Sequence, residues 1–231
     1  MIEIAVLFLQ AGIEAATAQA PAEPEPDAAI CRLELAGDTI QRRYRIEDVS
    51  FSCPQSVKEP EALAAYAQAV LDQGRWPVRI GRDPLTLIRT TFLFEYTETG
   101  WQLQRPTSFV YTRAAFPRQA TRQGIEARCF SRFTIMPDGQ TEDVELSCET
   151  FDYLTSEPHR GARDFEAVMR RAVQRWIWLT PVGAEPYCDT MTSLHLLGRE
   201  NRPRAWLDEE PEPGSEAAAN ALEPLSCEEE P

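Results

Sequence analysis

Apolar and polar residues change period along this chain, and the changes mark its elements. Residues 30–36 (ICRLELA) alternate apolar with polar, the two-residue period of a strand with one buried face. Gly37-Asp38 turns the chain, and Tyr44 to Cys53 alternates again with Val49, Phe51 and Cys53 on one face. Pro54 ends that strand, because it has no N–H to give to a ladder. Over 59–73 (EPEALAAYAQAVLDQ) the period lengthens: Leu63, Tyr66, Ala67, Val70 and Leu71 recur at helical spacing, and Gly74 stops the helix. Residues 85–96 (LTLIRTTFLFEY) are β-branched and aromatic and predict one long strand; Thr99-Gly100 then turns into a short strand, Trp101 to Leu103.

The same order returns in the second half. Residues 128–135 (RCFSRFTI) predict a strand, Pro137-Asp138-Gly139 a hairpin turn, and 142–148 its partner strand. A loop with Pro158 leads to a helix over 164–178, capped by Asp164, with Phe165, Val168, Met169, Ala172, Val173 and Trp176 as its apolar stripe. Residues 187–197 (YCDTMTSLHLL) form the last strand. Landmarks recur in step. EDVSFSC (Glu47 to Cys53) and EDVELSC (Glu142 to Cys148) share five of seven letters. A Cys opens each first strand (Cys31, Cys129), an Arg-Trp ends each helix (Arg75-Trp76, Arg175-Trp176), and a Gly-x-x-Pro precedes each final strand (Gly81 to Pro84, Gly183 to Pro186). Such self-similarity predicts an α+β chain of two tandem units, 29–106 and 107–200, each strand-turn-strand-helix-strand with a small antiparallel sheet packed on one helix.

The repeat gives the cysteines a physical meaning. Cys129 and Cys148 are equidistant from a hairpin centre between Asp138 and Gly139, so simple pairing sets them opposite each other, with Cβ atoms roughly 4.5–5.5 Å apart, near disulfide reach. Cys31 and Cys53 form the same staple in the first unit. The competing expectation is four buried free thiols. Cys188 and Cys227 are left, and a bond between them would tie the tail back to the last strand.

The six cysteines avoid the CxxC spacing of zinc ribbons and redox motifs, and two histidines, His159 and His195, are too few for a His-rich metal site. No cofactor or metal is expected. The net charge of −14 is uneven: residues 207–231 hold nine acidic residues and no basic one, and without them it is −5. Residues 201–231 read as a solvated acidic tail without apolar period. An acidic chain without a basic aromatic stripe is not a nucleic-acid binder. At the start, IEIAVLFLQAG followed by Ala18-Gln19-Ala20 has the form of a secretory signal peptide over 1–20, although Glu3 stands where a basic residue is usual; a frayed N-terminal helix is the alternative. Residues 21–28 (PAEPEPDA) read as a stiff linker. No run of 18 apolar residues occurs, so an uncleaved start would be a poor membrane anchor.

The second half also resembles the C-terminal domain of the TonB family, the periplasmic energy transducers of Gram-negative bacteria. The resemblance covers about 114–197. It rests on Phe116-Pro117 and Ala120, Gly124-Ile125-Glu126, Phe133, Ile135, the Asp138-Gly139 turn, Asp143-Val144, Ala172-Val173 with Arg175-Trp176, and Pro181. The first half shares only the later landmarks, Arg75-Trp76, Gly81 to Pro84 and Phe92 to Phe94, and resembles a diverged copy. The resemblance implies a periplasmic domain that grips an extended peptide of an outer-membrane receptor by adding it to its sheet. The family's long transmembrane helix has no counterpart, and a linker over 21–26 at ~3.1 Å per residue cannot cross a periplasm, so energy transduction is not expected.

Candidate sites follow. An exposed edge strand, Thr190, Met191, Thr192, Ser193, Leu194, His195 and Leu196, or else Leu85 to Phe94, would accept a peptide or protein partner. Alternatively the two units bury each other as a structural, envelope-assembly repeat without a peptide ligand. No GxSxG, HExxH or phosphate loop occurs, and Asp138 and Asp143 read as a turn and a strand residue rather than an acid–base pair, so an enzyme is not expected. Trp76, Trp176 and Trp178 read as core residues, and Arg170, Arg171 and Arg175 as the solvated face of their helix.

Overall fold

The computed structural model describes residues 26–40, 43–75, 79–81 and 86–197. The expected signal segment 1–20, most of the 21–28 linker, Trp76, Pro84, the tail 201–231 and Cys227 lie outside the described residues. The elements run β1 (Ala28–Ile40), β2 (Arg43–Ser52), α1 (Pro60–Gln73), β3 (Arg79–Gly81), β4 (Thr86–Ile88), β5 (Thr91–Thr97), β6 (Gly100–Gln102), β7 (Thr107–Thr112), α2 (Arg118–Gln123), β8 (Ile125–Ile135), β9 (Thr141–Asp152), β10 (Pro158–His159), α3 (Ala162–Val173), β11 (Ile177–Leu179) and β12 (Tyr187–Leu196). This is an α+β chain with antiparallel sheets.

The sheets are ordered β3-β2-β1-β5-β6, β10-β9-β8-β12 and β11-β7-β4. The first two share a plan. A hairpin (β1-β2; β8-β9) is followed by a helix (α1; α3), and a later strand (β5; β12) returns beside the hairpin's first strand. The repeated heptapeptide is the second strand of each hairpin. In the second, Ile135 pairs with Thr141 across a loop closed by Met136 N–H on Gln140 O (2.9 Å) and Gly139 N–H on Met136 O (2.8 Å). That loop is longer than the expected two-residue turn, and its centre is Asp138. A bulge at Asp143 (φ 50°) then adds one residue to β9 and brings Cys129 opposite Cys148. Turn and bulge together restore the register that simple pairing predicts. In β1-β2 the register also shifts, between Ala36 and Gly37, so that Arg32 faces Ser52. Both staples are closed: Cys31–Cys53 with Cα atoms 4.3 Å apart and Cys129–Cys148 at 4.1 Å.

Two cores fill the chain. Cys31, Leu33, Phe92 and Phe94 bury against Leu63, Ala67, Val70 and Leu71 of α1. Cys129, Phe133, Ile135, Val144 and Cys148 bury against Phe165, Met169 and Val173 of α3, with Trp176 beside them. α1 starts on Pro60, whose fixed φ suits a first turn, and stops where Gly74 N–H bonds Leu71 O.

Two expectations are corrected. The single strand over 85–96 is broken at Arg89 and Thr90: β4 pairs with β7, and β5 pairs with β1 and β6. The break bridges two sheets, since Arg89 N–H bonds Phe109 O (2.9 Å) and Leu33 N–H bonds Thr90 O (2.6 Å). The second helix is shorter than 164–178. It begins at Ala162 after Gly161 (φ 141°), so Asp164 lies in the first turn and makes no cap bond. It ends at Val173, and Ile177-Trp178-Leu179 turn extended and pair with β7. An aromatic and branched run fits a strand better than a last helical turn, and β7 supplies backbone partners. The two halves of the chain meet in a shared junction. Phe109 and Val110 of β7 and Ile177 and Leu179 of β11 bury in the first core, while Tyr111 stacks on Trp176 (centroids 4.8 Å) beside the second.

Side chains weld this junction. Gln73 Nε2 donates toward Thr180 Oγ1 (2.6 Å), Pro137 O (3.0 Å) and Pro181 O (3.1 Å), and its Oε1 accepts from Gly183 N–H (3.0 Å). Tyr66 Oη accepts from Leu103 N–H (3.2 Å) and Val182 N–H (3.3 Å). Arg75 pairs with Asp138 (3.2 Å), whose backbone O also accepts the Arg75 N–H (3.1 Å). Gly139 completes the contact: at φ +80° its carbonyl accepts Trp178 N–H (2.9 Å), and an added Cβ would collide with the Trp178 carbonyl.

Candidate functional site

β12 is the end strand of the second sheet. It pairs only with β8 among the described residues, from Tyr187 opposite Ile135 to Leu196 opposite Ala127. The register slips between Tyr187 and Thr190, so Cys188 and Asp189 lie in a bulge at the strand's start. Beyond it, residues alternate between faces. Thr190, Thr192, Leu194 and Leu196 pair with Phe133, Ser131, Cys129 and Ala127, on the α3 side, where Leu194 and Leu196 pack on the core. Met191, Ser193 and His195 pair with Arg132, Phe130 and Arg128 on the other face.

The alternative edge, Leu85 to Phe94, is not one edge. β5 lies inside its sheet between β1 and β6, and only the three residues of β4 end a sheet. The edge candidates therefore reduce to β12, whose ten residues form the longest end strand among those described.

The titratable residues are dispersed. His159 is exposed on β10 and His195 lies in β12, at opposite edges of one sheet. Asp138 is taken by Arg75 and by Gln140 N–H (3.2 Å), and Asp143 is the bulge residue. A recess of about 710 Å³ opens near the start of α3, lined by Arg128, Glu149, His159, Arg160, Arg163 and Asp164. Its charges are mixed, and Arg128 is held by Glu149 (2.9 Å). Arg170 and Arg171 of α3 and Arg175 just beyond it are exposed, as expected; Arg170 also donates to the Val144 carbonyl, and Arg171 and Arg175 line a shallow recess with Arg113. Burial pushes the Tyr111 and Tyr187 hydroxyls above their ordinary pKa, so both stay neutral donors at physiological pH. Trp176 is a core residue whose Nε1 donates to Thr112 O (2.8 Å), and Trp178 is half-buried against Phe133.

The sequence reading missed Gln73, which carries no motif, and the role of β7, whose TSFVYT run was legible as β-branched and aromatic. In comparisons with known proteins, no family model and no curated protein matches this chain. Two disulfides mark a protein of an oxidising, exported environment. No helix among the described residues is long and apolar enough to cross a membrane.

Proposed function

We propose that this chain is a periplasmic binding protein of two TonB-C-like units, the second of which takes an extended peptide along the outer edge of β12. The observation that carries the reading is the place of Thr190 to Leu196 at the end of the order β10-β9-β8-β12. A peptide added there gains backbone hydrogen bonds for affinity. Side chains of alternate parity supply selectivity, Thr192 and Leu194 on one face and Met191, Ser193 and His195 on the other. The shared hairpin-helix-strand plan of the two sheets supports the repeat, and the second hairpin carries the landmarks of the TonB resemblance. The partner class is a protein or peptide segment, for instance of an outer-membrane receptor.

Amide spectra of the full chain, titrated with extended receptor-type peptides, test this. The expected result is perturbation concentrated in β12 and β8. Peptides that perturb no amide in these strands sink the reading. The β11-β7-β4 junction favours a second reading, in which the units bury each other as an envelope-assembly repeat with no peptide ligand. The same titration decides between them.

A further inference from the structure

The basic residues of this acidic chain are unevenly placed. The sequence holds 37 Asp or Glu against 23 Lys or Arg, yet segments 113–123 and 167–175 together contain six arginines and no acid. The fold brings the two segments together. A recess of about 280 Å³ at the end of α3 is lined by Arg113 and Ala115, just beyond β7, and by Val168, Arg171, Ala172 and Arg175 of the helix and its exit. No carboxylate lines it. All three arginines are exposed, and among the described residues no ion pair or side-chain hydrogen bond holds their guanidinium groups.

A helix C-terminus favours cations, which accounts for Arg171 and Arg175 taken singly. It does not account for the cluster. Arg171 and Arg175 stand four residues apart, a spacing at which like charges repel, and Arg113 comes from a different element. A fixed joint holds Arg113 against them. Trp176 Nε1 donates to Thr112 O (2.8 Å), and Tyr111 stacks on Trp176 with centroids 4.8 Å apart. The residue before Arg113 is thus bonded to the residue after Arg175. Buried aromatic packing, not attraction to a protein carboxylate, gathers the three cations. Guanidinium forks match the oxygens of an oxyanion, and a phosphate group offers more acceptors and more charge than a carboxylate. The recess is smaller than pockets that bury drug-sized ligands, so it suits one group of a ligand rather than a whole molecule.

We propose that this recess binds a phosphate group, held by Arg113, Arg171 and Arg175. The same chemistry serves a soluble phosphate ester and the headgroup of an anionic phospholipid. None of the lining residues belongs to β8 or β12, so the site is independent of whether β12 takes a peptide.

Titrating the full chain with inorganic phosphate, read at the arginine Nε–H resonances, tests the site. Ionic strength is held constant with chloride, so that screening alone moves nothing. The expected result is saturable shifts at Arg113, Arg171 and Arg175. Arg113→Gln and Arg171→Gln each weaken binding about tenfold or more, the loss of one charge-assisted hydrogen bond. Arg171→Lys falls between wild type and Arg171→Gln, because an ammonium keeps the charge without the fork. Arg163→Gln, which removes an equal charge from an exposed position of the same helix, leaves binding unchanged. Sedimentation with phosphatidylglycerol vesicles, against phosphatidylcholine, separates the sources. Co-sedimentation lost in Arg171→Gln but kept in Arg163→Gln supports the site with a lipid headgroup as its ligand. Phosphate shifts without such co-sedimentation support it with a soluble ester. No saturable shift at the three arginines, or equal weakening by Arg163→Gln and Arg171→Gln, overturns the site.

Discussion

Substituting Gln73 tests whether the two halves are one cooperative structure. Its amide gives two hydrogens to a ring of acceptors from the second half, Thr180 Oγ1, Pro137 O and Pro181 O, and its oxygen takes Gly183 N–H. About three hydrogen bonds are at stake, each worth ~1 kcal/mol net, and the site is half-buried, so Gln73→Ala loses ~1.5–3 kcal/mol. Gln73→Glu is the sharper variant. It keeps the shape, removes both donors and sets a carboxylate against the Pro137 and Pro181 carbonyls, so the loss grows by ~1–2 kcal/mol at neutral pH. The sign with pH follows. The carboxylate's surroundings favour its neutral form, which raises its pKa in the fold, so the penalty is full at high pH and eases as pH falls toward the ordinary range of ~4.3. Urea unfolding monitored by both near-UV and far-UV signals measures this. The wild type should show one transition, and the variants an earlier or split one. Losses below ~0.5 kcal/mol for both variants, or a Glu variant no worse than the Ala variant at neutral pH, refute the weld.

Other outcomes follow from the same structure. Cys129→Ala with Cys148→Ala opens a loop of sequence separation 19 and costs ~3 kcal/mol in denaturant titration, with the Cys31–Cys53 staple intact by mass. Gly139→Ala adds a Cβ at φ +80° against the Trp178 carbonyl and loses at least ~3 kcal/mol, measured as a lowered melting temperature; a loss under ~1 kcal/mol contradicts the packing of that turn on β11. Asp152 accepts the N–H groups of Thr155 (3.0 Å) and Leu154 (2.8 Å), which hold its carboxyl below the ordinary 3.8; its stabilisation is present above that value and is lost as pH falls through the lowered one, so the melting-temperature gap between wild type and Asp152→Ala closes in acid. A fragment of residues 107–200 leaves Phe109, Val110, Ile177 and Leu179 without the first core, and sedimentation should find it aggregated or oligomeric rather than a stable monomer.

The hairpin strands, the helices' cores and the staples were legible because each leaves a local trace: a two-residue alternation, a helical stripe, or a cysteine at a symmetric distance from a turn. The register at Cys129 and Cys148 came out right through two departures that offset each other, a longer loop about Asp138 and a bulge at Asp143. Where the reading failed, tertiary partners overrode the pattern. Residues 85–96 look continuous, yet Arg89 and Thr90 serve two sheets at once. Trp176 continues the helical stripe, but the helix has already ended, because Ile177 and Leu179 find β7 and the first core. Of the candidate site, the strand β12 could be read from its alternation. Its end position could not, because strand order depends on pairs far apart in the sequence, and the same limit let Leu85 to Phe94 pass for an edge.

The central β7 has a consequence for synthesis and export. The first core needs Phe109 and Val110, and its last wall, Ile177 and Leu179, follows the whole second hairpin and α3 in chain order. An emerging chain can therefore close its first hairpin early but cannot finish either half until β11 has appeared. Such long-range closure slows folding and keeps incomplete intermediates open during translocation. The Cys31–Cys53 bond, local in sequence, can form in that interval and hold the first hairpin in register until its distant partners arrive.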